Sequence, residues 1–247
     1  MPLRLKLALS YLLIGLIPVL AMAFVVYQQA SEALRVQTLN ALEAVANIKQ
    51  QQLLDNWQER HNQISTLASN LSNSYDGLDT NALLSSSNYD RPVFENFIAT
   101  FGYRELKLVL PDGTVMFSLR RGDDYQNNLG SQALRNTPLA QLVKQSAEQR
   151  QILISDLLYN ELSQAPTQYL AAPIGSGDEL QMTLVLELPI APLNAVMQTR
   201  QGLGEQGETY LVGSDSRLRS DSVRFPELQV NRSLRPSTAL TANAIRR

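Results

Sequence analysis

Leu106-Lys107-Leu108-Val109-Leu110-Pro111-Asp112-Gly113-Thr114-Val115-Met116-Phe117-Ser118-Leu119 is where the chain changes its period. Before it, apolar residues recur at helical spacing. Within it they read as strand, turn and strand, and Asp-Gly at the turn is a strong hairpin signal. Alternation puts Phe117 and Leu119 on one face, with Met116 and Ser118 opposite. Downstream, Ile152–Leu157 reads as a strand. Gln168–Pro173 and Gln181–Leu188 form a further pair, turned at Gly175-Ser176-Gly177-Asp178. Thr137-Pro138 opens a helix to Gln149, with proline in its first turn, and Ile190–Arg200 closes the unit as a short helix. Five strands with helices set apart from them predict an α+β fold around an antiparallel sheet.

Upstream, Ala30 to Asn73 contains neither proline nor glycine. Leu39, Leu42, Ala46, Leu53, Trp57, Ile64, Leu67 and Leu71 recur at steps of three and four, with Lys49 and Arg60 at seam positions. This predicts one long helix of roughly 60 Å, at 1.5 Å per residue. Its apolar seam suits either self-association with a second copy or packing on its own domain. Ser72–Asp90 is polar and reads as loop with one short helical turn. Arg91-Pro92 starts a second short helix through Thr100.

Further upstream, Leu7–Tyr27 (LALSYLLIGLIPVLAMAFVVY) is free of charge. It has about the 20 apolar residues that a helix needs to cross a bilayer. Arg4 and Lys6 precede it and Glu32 is the first acid after it, which places the N-terminus inside. Two readings carry the rest of the chain outside. One is an uncleaved anchor, favoured because the apolar run continues through Phe24, Val25 and Val26. The other is a cleaved signal peptide, for which Ala21-Met22-Ala23 has the small-x-small pattern.

Composition narrows the function. The net charge of −2 gives no electrostatic case for nucleic acid. Cysteine is absent and His61 is the sole histidine, so neither a disulfide framework nor a histidine- or cysteine-based metal site is expected. No nucleophile–base set can be assembled around His61. No catalytic residue, metal or cofactor is expected, and the chain reads as a non-enzyme. Gly202-Leu203-Gly204-Glu205-Gln206-Gly207 matches G-x-G-x-x-G by letter. That motif needs a strand before it and a helix N-terminus after it to receive a pyrophosphate. Here a helix precedes and a strand, Thr209–Gly213, is expected to follow, so the stretch reads as a hinge. Thr209–Ser220 then repeats the strand-turn-strand pattern of the first hairpin, a weak internal repeat.

Several segments resemble the double-Cache extracellular sensor region of bacterial transmembrane receptors such as methyl-accepting chemotaxis proteins. LNALEAVANIKQQQLLDNWQERHNQISTLAS (39–69) looks like its first helix and LVLPDGTVMFSLRRGDDYQNNL (108–129) its first hairpin and loop. SDLLYNEL (155–162), QYLAAPI (168–174) and LVLELPIAPLNAVM (184–197) look like the later strands and closing helix. GLGEQGETYLVGSDSRLRSDS (202–222) looks like the junction to a second module. The resemblance implies PAS-like modules with a small-molecule pocket on one sheet face under a loop. It divides the chain into a cytoplasmic N-terminus (1–6), a transmembrane helix (7–27), a long signalling and dimerisation helix with its connector (28–100), a first module (101–200) and a hinge with an incomplete second module (201–247).

The implied function is a chemoreceptor-type, membrane-anchored sensor of a small polar metabolite. It would lie in the bacterial inner membrane, with its bulk periplasmic and with a second copy as partner through the long helix. The alternatives are the sensor half of a histidine kinase or nucleotide cyclase, and a non-signalling envelope protein. For the pocket, an apolar wall with a few oriented polar groups is needed. Phe117, Tyr125, Asp156, Tyr159, Tyr169 and Ala171 are the expected ligand-binding residues, beneath the Arg120–Asn128 loop. The charges Arg120, Arg121, Asp123 and Asp124 read as solvating that loop.

Overall fold

The computed structural model describes residues 3–160, 165–175, 179–204, 207–225 and 228–230. The element order is α1 (Leu3–Tyr75), α2 (Thr80–Tyr89), α3 (Arg91–Phe101), β1 (Glu105–Val109), β2 (Val115–Ser118), α4 (Pro138–Gln149), β3 (Leu153–Ile154), β4 (Leu158–Asn160), β5 (Ala165–Ile174), β6 (Met182–Leu188) and α5 (Ala191–Gln198). Contacts divide the chain into two units, Met1–Gln50 with Arg200–Gly207, and Gln51–Thr199 with Glu208–Arg247.

In the first unit α1 is free of charge from Leu7 through Tyr27, with Pro18 inside the helix. This is the one helix among the described residues that is long and apolar enough to cross a membrane. Its large apolar side chains, from Tyr11 to Tyr27, are exposed. Further along, Val45 and Lys49 are buried, and burial pushes the Lys49 ammonium down from its ordinary pKa. Gly202, at φ +82°, turns the returning segment so closely that an added Cβ would lie 3.0 Å from Val45 Cγ2.

The second unit is built on an antiparallel sheet of six strands, ordered β2-β1-β6-β5-β3, with β4 also on β5. One more strand is present than the sequence predicts. Ile152–Leu157 is not one strand. It pairs at Leu153–Ile154, breaks at Ser155-Asp156-Leu157, and resumes at Leu158. At the break the Asp156 carboxylate accepts from Leu157 N at 2.8 Å and Ser155 Oγ accepts from Tyr169 N at 2.9 Å, so side chains replace ladder bonds.

The region read as loop, Ser72–Asp90, is largely helical. The start of α2 is marked by a side-chain cap. Asp79 caps α2 by accepting from Ala82 N, and Ser85, Ser87 and Asn88 donate back to carbonyls one turn earlier. Helix α3 ends one residue later than expected, at Gly102 in the left-handed region.

One sheet face packs on the helices. Leu106, Leu108, Phe117, Leu170, Ala172, Leu184 and Leu186 meet Ile64, Leu67 and Leu71 of α1, Leu83 of α2, and Phe94 and Ile98 of α3 in one buried cluster. The α1 seam thus packs on its own sheet from Trp57 onward, while Leu39 and Leu42 stay exposed. The other face carries Val109, Val115, Tyr169, Ala171 and Val185 against Leu139, Ala140, Leu142 and Val143 of α4.

A bulge corrects the expected faces of β2. Leu108 pairs Phe117, but Val109 pairs Val115, so Met116 has no partner opposite. The extra residue breaks the alternation. Met116 therefore shares the cluster of Phe117, rather than lying opposite it, and Val115 goes to the other face.

The expected strand-turn-strand at Thr209–Ser220 is only an isolated bridge, Val212 with Leu218. Glu205 and Gln206 of the glycine-rich stretch, the turn residues Ser176, Gly177 and Asp178, and Glu161 and Leu162 lie outside the described residues.

Candidate functional site

β1 reads Glu-Leu-Lys-Leu-Val, so its odd positions put two charges on the face away from the helices. Cross-strand register extends each into a row. Ser118, Lys107, Val185, Ala171 and Leu153 form one, and Glu105, Glu187 and Tyr169 the next. Glu105, Lys107, Ser118 and Tyr169 are buried.

Burying these charges requires partners. Lys107 Nζ donates to both oxygens of Asp124, each at 2.5 Å, and the two side chains are 7% and 9% exposed. Glu105 accepts from the backbone N–H of Leu106 (2.8 Å), Leu119 (2.9 Å) and Arg120, and from Ser118 Oγ (3.1 Å). Ser118 Oγ in turn accepts from Arg121 N at 2.9 Å. Glu187 lies 3.6 Å from Arg104, and burial outweighs the nearby Arg104 and Lys107 cations to push its carboxyl up from the ordinary value.

The loop after β2 places Asp124. Arg121 and Gln126 take positive φ, Tyr125 N donates to Gly122 O, and Gln126 N and Val115 N bond across the loop to Val115 O and Asn127 O. The chain folds back on β2 and Asp124 closes over Lys107. The result is a buried polar cluster on the sheet face, beside Val185, Ala171 and Tyr169, which pack under α4. Opposite charges held beside an apolar wall can take a small ligand that carries both charges.

The sequence-predicted residues fall in different places. Tyr169 and Ala171 share the sheet face of this polar cluster, and Tyr125 is half-buried in the loop with Arg121 5.7 Å from its ring centre. Phe117 is not with them. It faces the helices, 5.4 Å from the Phe94 ring in an edge contact. Asp156 is not part of the polar cluster either. It accepts a two-pronged ion pair from Arg219, at 2.7 Å to Nε and 2.6 Å to Nη2. Asp215 adds a contact at 3.1 Å, and these carboxylates raise the pKa of Arg219 above its ordinary value. Tyr159 is 46% exposed on β4.

Lys107, Asp124, Glu105 and Ser118 were missed by the sequence reading. The charge alternation in Glu105–Val109 is the signal that could have found the first and third, since one polar face within an apolar strand has to be answered by another element. Among the described residues no group of three acidic or histidine side chains is placed to hold a metal ion.

No protein-family model and no curated protein sequence matches this chain. Solved structures do. The sensory domain of the Campylobacter jejuni chemoreceptor Tlp3 with isoleucine bound is 13% identical, with a TM-score of 0.58 over 81% of this chain and 76% of that one. The ligand-binding domain of the Pseudomonas aeruginosa amino acid chemoreceptor PctC, in complex with GABA, is 13% identical with a TM-score of 0.56, covering 81% of each. That of Pseudomonas fluorescens CtaA with L-isoleucine is 13% identical with a TM-score of 0.58, covering 84% and 77%. Mixed helix and antiparallel sheet in this arrangement give the chain the α+β fold of the Cache-type ligand-binding sensory domains of bacterial chemoreceptors.

Proposed function

We propose that this chain is the extracytoplasmic sensing region of a chemoreceptor-type protein, and that it binds a small amino acid-like zwitterion on the sheet face of Lys107. The observation that carries this is the buried Lys107–Asp124 pair beside Val185, Ala171 and Tyr169. A zwitterion inserted between the two would place its carboxylate on Lys107 and its ammonium on Asp124. Each buried charge then keeps a partner, and the ligand side chain lies along the apolar wall. The neighbours in complex with isoleucine and GABA support this ligand class. Such a role involves no catalytic step.

Residues 7–27 anchor the chain in the inner membrane with residues 1–6 inside, and the module lies outside. The exposed apolar surface of α1 from Tyr11 to Tyr27 supports this, because lipid would cover it. Exposed seam residues Leu39 and Leu42 suit a homodimer through the long helix. Residues 201–247 begin a second module.

The test uses the full chain in phosphatidylcholine vesicles and a panel of L-amino acids. The matching amines and carboxylic acids, each lacking one charge, complete it. Saturable binding by isothermal titration, seen only with the zwitterions and lost in Lys107→Met, is the expected result. A folded protein that binds none of the panel would overturn the reading. A reporter fused after Arg247 that is active only in the cytoplasm would overturn the topology.

A further inference from the structure

The opposite side of the sheet holds a cavity of about 330 Å³. Trp57 and Leu53 of α1, Ile154 and Leu188 of the sheet, and Leu193 of α5 form its apolar walls. Register separates it from the polar cluster. Ile154 pairs Leu170 and Leu188 pairs Gln168, on the face away from Tyr169 and Ala171.

Arg60 is the one charged residue among those lining it. It is fixed in place, donating to Phe101 O at 2.6 Å and lying 4.8 Å from the centre of the Tyr103 ring. A guanidinium has five N–H donors, so this backbone bond leaves others for an anion. An apolar cavity with a single oriented cation and no carboxylate in its lining selects for an apolar body with one negative head.

We propose that this cavity is a second ligand site, and that it takes a small aromatic monocarboxylate. The ring lies between Trp57 and Leu193 and the carboxylate meets Arg60. A benzoate-sized molecule is within the capacity of 330 Å³.

Trp57 is the only tryptophan in the chain, so its fluorescence reports this cavity alone. The experiment titrates the full chain in phosphatidylcholine vesicles with 4-nitrobenzoate, whose nitroarene quenches tryptophan on contact. Quenching should saturate. Leu193→Phe should abolish the saturable phase by filling the cavity. Where α5 does not accept the larger ring, Ile154→Phe fills the cavity from the sheet edge, with thermal melting as the check on folding. Arg60→Gln keeps an N–H donor for Phe101 O but removes the charge. It should weaken 4-nitrobenzoate about tenfold and leave nitrobenzene unchanged, as loss of a charge-assisted bond implies. The double variant Lys107→Met with Asp124→Leu, which removes both buried charges together, should leave the quenching unchanged, which separates this site from the polar cluster. Linear, non-saturating quenching would overturn the proposal, as would saturation untouched by the cavity-filling variants. Saturation indifferent to Arg60→Gln would overturn the assignment to an acid.

Discussion

Lys107 and Asp124 sit seventeen positions apart and meet through two bonds of 2.5 Å, with both side chains almost out of solvent. One comes from the sheet and the other from the loop after β2. A buried pair is costly to break and cheap to replace as a whole. Lys107→Met or Asp124→Asn alone should lower stability by about 3–5 kcal/mol. The double variant Lys107→Met with Asp124→Leu should recover most of that. Urea denaturation of the four proteins measures it, and additive losses would show that the charges are not coupled in the fold.

Phe117 separates the two faces experimentally. It is 1% exposed among helix-facing residues. Phe117→Ala should cost about 3–5 kcal/mol, by lost burial and the cavity left behind. Zwitterion affinity per folded molecule should not change. A selective loss of affinity at unchanged melting temperature would return Phe117 to the ligand site.

Asp156 and Arg219 tie the segment after Gly207 to the edge of β3. Arg219 is 5% exposed but Asp156 is 53% exposed, so solvent screening reduces the effect. Asp156→Ala should cost about 1–2 kcal/mol. Limited proteolysis should then cut near Arg217 or Arg224 faster than in the wild type. Equal cleavage rates in both proteins would count against this tie.

Glu187 gives a pH dependence of definite sign. Burial raises its folded pKa, so the fold favours the protonated form. Ionisation of Glu187 therefore weakens the fold at neutral pH, and the penalty fades as pH falls through the raised pKa towards the ordinary 4.5. Glu187→Gln should be the more stable protein at neutral pH, with the difference closing on acidification. Melting curves across that window test it, and a difference that widens as pH falls would reverse the sign.

Local rules in the sequence determined a good deal. Helical spacing without proline or glycine fixed α1 from Ala30 to Asn73. Asp112-Gly113 fixed the first hairpin, and Thr137-Pro138 the start of α4. Tertiary structure decided what local rules leave open. The bulge at Met116 depends on which residues of β1 lie opposite, and it moves Met116 to the face of Phe117. The Asp79 cap that starts α2 is a local signal that composition alone does not show. Asp124 looks like any solvated acid until Lys107 is placed beneath it, and Asp156 resembles a pocket residue until Arg219 takes both its oxygens. For these two acids the partner is distant in sequence. A charge acquires its meaning from what is buried beside it, and only the folded chain brings those groups together.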